Sequence, residues 1–184
     1  MIHIREMKDE KDIEGMLALQ KKHLMVPENE NEDWSDGFVT LEHNPEILRA
    51  MMMESPQMVA VDETGVVGYN LSMYPHRAKS FPVLKPMLAN FEKVNIGGIA
   101  LSQYPYMIGG QCCIDAAYRG RGLLGSLYRG TKRKIESSCD FIVTEIARSN
   151  PRSLHAHLKI EFEVVHEYAT EHQVWDIVLW DWSS

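Results

Sequence analysis

The apolar and polar positions divide the chain into short alternating runs and longer stretches with helical spacing. The opening "HIREMK" alternates as a short strand. Asp9 or Asp12 is placed to cap a helix running to about His23, with Ile13, Met16, Leu17 and Gln20 on one face. Asn44-Pro45 marks a second helix start, with Asn at the N-cap and Pro in the first turn. Ile47, Leu48, Met51 and Met52 form its apolar stripe. "QMVAVDETGVVGYNLSMYP" reads as a hairpin turning at Glu63-Thr64-Gly65. Residues 76–105 are less regular: "FPVLKPMLANFEKV" has the makings of a short helix, but its prolines interrupt it.

"MIGGQCCID", 107–115, is a strand. From Gly122 the period becomes helical. Leu123, Leu124, Leu127, Tyr128, Thr131 and Ile135 share a face, and Arg121, Arg129, Lys132 and Arg133 lie elsewhere. "FIVTEIA", 141–147, is a further strand. Asn150-Pro151 repeats the Asn-Pro start and leads to a helix ending near Ile160. "EVVHEYATEHQ" and "VWDIVLWDW" close the sequence as a hairpin. Trp175, Trp180 and Trp182 fall along its last strand and fit core or interface positions better than a ligand cage. The order is that of a mixed sheet with helices on its faces, an α/β (α+β) architecture.

A length of 184 residues suits a single domain with its own core. No apolar run approaches the ~18 residues of a membrane span, so no membrane partner is expected. The charged start "MIHIREMKDEKD" has no apolar core of the signal-peptide kind. Cys112, Cys113 and Cys139 make an odd count with two adjacent, which fits a reducing cytoplasm better than a disulfide framework. No C-x-x-C or H-E-x-x-H spacing occurs, so no metal is expected. The net charge of −7 disfavours nucleic acid. Much of the acid sits in "PENENEDWSDG", residues 27–37, either a solvated loop or an acidic lip that attracts a cationic substrate.

The stretch with the most chemistry is "YRGRGLLGSLYRG", 118–130. Gly120, Gly122 and Gly125 spell G-x-G-x-x-G, the dinucleotide fingerprint, and Glu145 even stands at the expected acidic spacing of roughly 20 residues. Against an NAD(P) oxidoreductase, "AAYR" separates the strand from Gly120, and too few elements follow for a doubly wound sheet. A Walker loop is excluded because no lysine follows Gly125. The physics common to such turns survives. Glycines clear the approach, helical N–H groups point outward, and Arg119 and Arg121 add charge that suits a pyrophosphate. The plain alternative is a glycine-rich turn with two solvated arginines.

"QCCIDAAYRGRGLLGSLY", followed by "FIVTEIARSNPRSLHAHLKIEFEVV", resembles the GNAT superfamily of acetyl-CoA-dependent N-acetyltransferases. Their signature is a strand, a bend, then [QR]-x-x-G-x-[GA] at a helix start. Arg119 and Gly122 match it; Leu124 stands where Gly or Ala is usual, with Gly125 one place later. Downstream the family has Asn, a short helix, Tyr and Gly-Phe. Asn150, His157 and Glu161-Phe162 occupy those places, so His replaces Tyr and Glu replaces Gly. The resemblance covers residues 107–165, and the element order of 1–75 fits it. Residues 76–105 are longer than the family's usual connection.

The resemblance implies a mixed, mostly antiparallel central sheet, helices on both faces and a splayed pair of parallel strands, here 107–115 and 141–147. It implies acetyl-CoA as co-substrate. The pantetheine arm would meet backbone near Cys113, Ile114 and Asp115. The pyrophosphate would sit on Arg119, Gly120, Arg121, Gly122, Leu123, Leu124, Gly125 and Ser126, and Asn150 would touch the arm unless its N-cap role occupies it. Acetyl transfer needs a base for the amine and an acid for the leaving thiolate. Glu145 is the candidate base, with an ion-paired structural carboxylate as the alternative. His157, at the family's tyrosine position, is the candidate acid, with a buried contact residue as the alternative. Cys113 as a covalent acetyl carrier is disfavoured, because strand cysteines serve as small core residues. The acceptor would be a small-molecule amine or a lysine-bearing peptide. A non-catalytic acyl-CoA-binding module stays open beside the enzyme. So do monomer and homodimer, since the closing hairpin offers an edge.

Overall fold

The computed structural model describes residues 1–25 and 37–183. The acidic segment expected as a loop or lip lies outside them, apart from Gly37. In chain order the elements are β1 (His3–Glu6), α1 (Glu10–His23), α2 (Pro45–Glu54), β2 (Met58–Asp62) and β3 (Gly65–Met73). Next come α3 (Pro75–Ala78), α4 (Lys85–Phe91), β4 (Asn95–Ile96), β5 (Ile99–Ala100) and β6 (Tyr106–Ile114). The chain closes with α5 (Leu123–Ile135), β7 (Phe141–Ala147), α6 (Pro151–Leu158), β8 (Glu163–Ala169) and β9 (Val174–Asp181). Seven strands form one sheet in the order β1-β2-β3-β6-β7-β9-β8, and β4 and β5 form a separate ribbon. β6 and β7 pair in parallel, whereas β1–β2, β2–β3, β7–β9 and β8–β9 are antiparallel. This is a mixed sheet, not the parallel, doubly wound sheet that a dinucleotide fold requires.

The residues fall into two compact units. The first comprises Met1–Ser72 and Gly110–Lys134. Its α1 is capped by Asp9, whose carboxylate accepts the Asp12 N–H at 3.1 Å. Asp12 itself takes a bidentate pair from Arg5, at 2.6 and 2.8 Å, tying α1 to β1. Asn44 caps α2 by accepting from Ile47 at 2.8 Å. The buried stripe of α1 is Ile13, Met16, Leu19 and Gln20, with Leu17 half-buried. Leu19 follows Met16 by three positions and lies mid-stripe, which moves Leu17 to its edge. α5 lies over β2 and β3: Leu123 and Leu127 pack with Met58, Ala60 and Val67. The approach at Gly130 is so close that a Cβ there would meet Met58 Cε at 2.6 Å.

A part-buried polar network pins the chain before α2. Gln20 Nε2 donates to Gln111 at 2.6 Å, the Tyr69 hydroxyl donates to the same oxygen at 2.5 Å, and the Gln111 amide donates to the Leu41 carbonyl at 2.8 Å. Such a network stabilises when every member is satisfied.

The second unit comprises Met73–Gly109 and Ile135–Ser184. β6 and β7 have nine and seven residues, yet their register runs through three pairs: Tyr106↔Phe141, Met107↔Ile142 and Ile108↔Val143. β7 then pairs with β9 along its whole length, from Phe141↔Asp181 to Ala147↔Trp175. Phe141, Ile142, Val143, Ile177, Val178 and Leu179 are buried there. Trp180 is a core residue, 6.0 Å from Phe162 and edge-on to Trp182 at 5.5 Å. Glu161, where the resembling family carries glycine, holds φ 76°. That left-handed conformation costs a non-glycine residue about 1 kcal/mol. The Trp180 indole N–H donates to its carboxylate at 3.2 Å and holds it in place.

Candidate active site

In the first unit, β6 ends at Ile114 and a single 3-10 turn, Ala116–Tyr118, follows. Asp115 organises the exit. Its N–H donates to the Val67 carbonyl at 2.9 Å, and its carboxylate accepts from the Ala117 N–H at 3.1 Å. Gly120 and Gly122 then take φ 75° and 72°, a region that glycine enters without strain. A Cβ added at either would find nothing within 4 Å, so the space above the turn is open. Gly120, Arg121 and Gly122 are exposed, whereas Leu123 and Gly125 are buried. Leu124 and Ser126 are half-buried, and Ser126 turns its hydroxyl back to the Gly122 carbonyl at 3.1 Å. The Ser126 N–H also bonds to Gly122, so α5 begins there. The N–H groups of Leu123, Leu124 and Gly125 belong to the first turn, which has no carbonyl of its own helix to bond.

The arginines are placed rather than loose. Arg119 donates Nε to the Ile114 carbonyl at 3.1 Å, and its terminal nitrogen lies 3.3 Å from His23 Nδ1. Arg121 donates to the Ala117 carbonyl at 3.1 Å and stacks its guanidinium 5.1 Å from the Tyr118 ring centre. Lys22 pairs with Asp115 at 3.3 Å. Lys22, at the end of α1, therefore adds its charge beside this turn, and His23, its imidazole held below its ordinary pKa by burial and by Arg119, braces the guanidinium as a neutral ring; the sequence motif contained neither. Arg119 and His23 are 96 positions apart, so no local signal could have joined them. Cys113 is buried and its thiol is pushed up to about 12 by burial. The thiolate needed to carry an acetyl group is therefore scarce at neutral pH.

In the second unit, Glu145 stands on β7 opposite Ile177 and is half-buried. Burial pushes its carboxyl up to about 7, against a hydrogen bond from the Tyr168 hydroxyl of β8, which acts in the other direction. A carboxylate that gains its charge near neutral pH is suited to general-base work. Tyr168 was not among the residues expected from sequence; it lies 23 positions away and reaches Glu145 past β9. The raised pKa also fixes how Glu145 affects stability. The folded form holds the proton more tightly than the unfolded chain. Its contribution is therefore complete below about pH 4.5 and lost as pH rises through about 7. Glu145→Gln is expected to be more stable than the wild type at pH 8, by about 1–3 kcal/mol, and equal to it at pH 4. Urea unfolding at both pH values checks this.

Asn150 caps α6, accepting from the Ser153 N–H at 3.2 Å, and is buried. His157 lies one turn further on, 2% exposed, edge-on to Phe162 at 5.2 Å. Its Nδ1 lies 2.8 Å from the Ser153 carbonyl. A carbonyl only accepts, so Nδ1 carries the proton and Nε2 carries a lone pair. Burial pushes the imidazole down to about 4, so it is neutral at pH 7. With that ring proton bonded to the Ser153 carbonyl, this geometry favours the buried contact role for His157 over the acid role. His157→Ala is expected to cost about 2–4 kcal/mol of stability, in the range of truncating a large core side chain, read as a lower urea midpoint.

No protein-family model and no curated protein matches this sequence. Solved structures do match in fold. The chain is similar to one in the NatC complex bound to Gag peptide and CoA, with a TM-score of 0.65, 15% identity and 98% of each chain covered. It is similar to Arabidopsis thaliana NAA60 in complex with acetyl-CoA, with a TM-score of 0.64 and 12% identity over 99% of this chain and 100% of the other. It is also similar to a GNAT-family acetyltransferase from Streptococcus agalactiae, with a TM-score of 0.64 and 13% identity over 100% and 96%. The fold of this chain is the GNAT fold.

Proposed function

We propose that this chain transfers an acetyl group from acetyl-CoA to an amine. The observation that carries the reading is the turn before α5, with two exposed glycines at positive φ, open space above them and charged side chains tethered around it. That arrangement suits a pyrophosphate. The likeness to structures that hold CoA or acetyl-CoA supports the same ligand. The NatC likeness, through its bound peptide, favours a peptide amine as acceptor beside a small-molecule amine.

In this reading Glu145 takes a proton from the substrate ammonium. The neutral amine then attacks the thioester carbonyl, and a tetrahedral oxyanion forms. The C–S bond breaks, the nitrogen sheds its second proton, and one proton ends on the CoA sulfur. Asn150 and His157 hold α6 in place and take no proton.

Thermal shift tests the ligand. CoA is expected to raise the melting temperature, and NAD(H) and NADP(H) to leave it unchanged. Stabilisation by nicotinamides instead would overturn the reading. CoA binding without turnover on any amine would leave the acyl-CoA-binding module. Arg119→Ala is expected to weaken CoA by about 1.5–3 kcal/mol, the scale of a charge-assisted hydrogen bond. Dephospho-CoA should lose as much, since the turn faces the pyrophosphate; calorimetry with both ligands checks this.

A further inference from the structure

Residues 74–105, longer than a plain connection requires, build a cavity inside the second unit. It measures about 310 Å³, at the lower end of small-molecule sites, which run from roughly 300 to 1,000 Å³. Its lining includes Tyr74, Tyr104 and Tyr106. Two of these tyrosines make ring contacts of their own, and the third is placed by the sheet. Tyr104 stands edge-on to Phe141 at 5.0 Å and donates its hydroxyl to the Ile96 carbonyl at 3.3 Å. Tyr74 stacks on His76 at 5.7 Å, and Tyr106 is held in the sheet opposite Phe141. Cys139 adds a buried surface, its carbonyl held by the Trp182 indole at 2.7 Å.

Two opposite charges also line the cavity. Lys79 follows α3 and Glu92 follows α4, both exposed. Neither has an ion-pair partner among the described residues. Burial raises the Tyr106 phenol above its ordinary value, and the charge of Glu92 adds to this, so that carboxylate is felt at the tyrosine wall.

We propose that this cavity binds a small zwitterion with an apolar body, of the free amino acid class. Its carboxylate would meet Lys79, its ammonium Glu92, and its side chain the tyrosine rings. Aromatic faces accept both apolar groups and an ammonium. A ligand with one charge leaves one of the two protein charges unmatched, and that mismatch supplies the selectivity. The cavity shares no residue with the turn before α5, so the proposal does not depend on the CoA reading.

The test is a titration of the whole chain, 15N-labelled and without CoA, with phenylalanine, leucine, phenethylamine and 3-phenylpropionate. Phenylalanine and leucine are expected to shift the amides of Ser102, Tyr106 and Ser138. Each single-charge analogue should bind about threefold to fivefold more weakly than phenylalanine, the scale of exposed ion pairs. Glu92→Gln should erase the preference over 3-phenylpropionate, and Lys79→Met the preference over phenethylamine. Both positions are exposed, so both variants should fold. Absence of shifts at these amides at millimolar ligand, shifts confined to residues 119–126, or selectivity unchanged in both variants would overturn the proposal.

Discussion

Gly122→Asp is expected to lose CoA by about 3 kcal/mol or more, over a hundredfold, in a protein that still folds. The substitution combines two effects that can be separated. Residue 122 sits at φ 72°, where asparagine and aspartate are the least strained of the side-chain-bearing residues. Nothing lies within 4 Å of the Cβ it would add, so the protein itself accommodates the side chain. The cost falls on the ligand, which meets an added carboxylate where its own negative charge should approach. Gly122→Asn provides the control, with similar shape and backbone tolerance but no charge. Calorimetric titration of both with CoA should show a clear loss for Asn and a much larger one for Asp. Equal affinity in wild type and Gly122→Asp, with matching melting curves, would remove the pyrophosphate from this turn.

Glu145→Gln is expected to lower the maximal rate by ~10²–10⁴-fold, the usual contribution of a general base. Its dependence on pH carries more information than its size. The wild-type carboxyl titrates at about 7, raised by burial. Below that pH the wild type loses its own base and its rate falls toward that of the variant. Far above it, a substrate amine that is already neutral needs no base. The gap between the two proteins should therefore be widest between about pH 7 and the pKa of the amine, and narrow on both sides. A constant ratio across pH would mean that the substitution disturbs the structure and that Glu145 moves no proton. Because Glu145→Gln keeps the shape and is expected to fold more stably at pH 8, a dead, unfolded variant would contradict both parts of the argument.

Local grammar made much of the fold readable. Asn44-Pro45 and Asn150-Pro151 each announced a helix, and in each the Asn side chain accepts an N–H three residues on. "FIVTEIA" stood out as a strand because its apolar run was bounded on both sides, and β7 has those bounds. Residues 76–105 resisted reading because their helices are four and seven residues long and Pro-started, too short for a periodicity to develop. Their cavity was invisible for the same reason. Motif spacing suggested the glycine turn. The neighbours that complete it, Lys22 and His23, come from a helix nearly a hundred positions earlier. Glu145 could be singled out as a carboxylate among apolar strand residues, but Tyr168, which bonds to it, could not. His157 shows the opposite limit. Its position in the motif suggested an acid, while its tautomer follows from burial and from the Ser153 carbonyl, neither of which a sequence displays.

Acetyl transfer to an amine is read from the mass of the product. The protein is incubated with acetyl-CoA and a mixture of small amines, lysine-bearing peptides and peptides with free N-termini. Each acceptor is then weighed, with Glu145→Gln run in parallel. At least one acceptor is expected to gain the mass of one acetyl group on nitrogen, with an equal amount of free CoA released and both falling together in the variant. CoA that binds the turn while no acceptor in the mixture gains an acetyl group, or acetylation that proceeds equally in Glu145→Gln, would contradict acetyl transfer through Glu145.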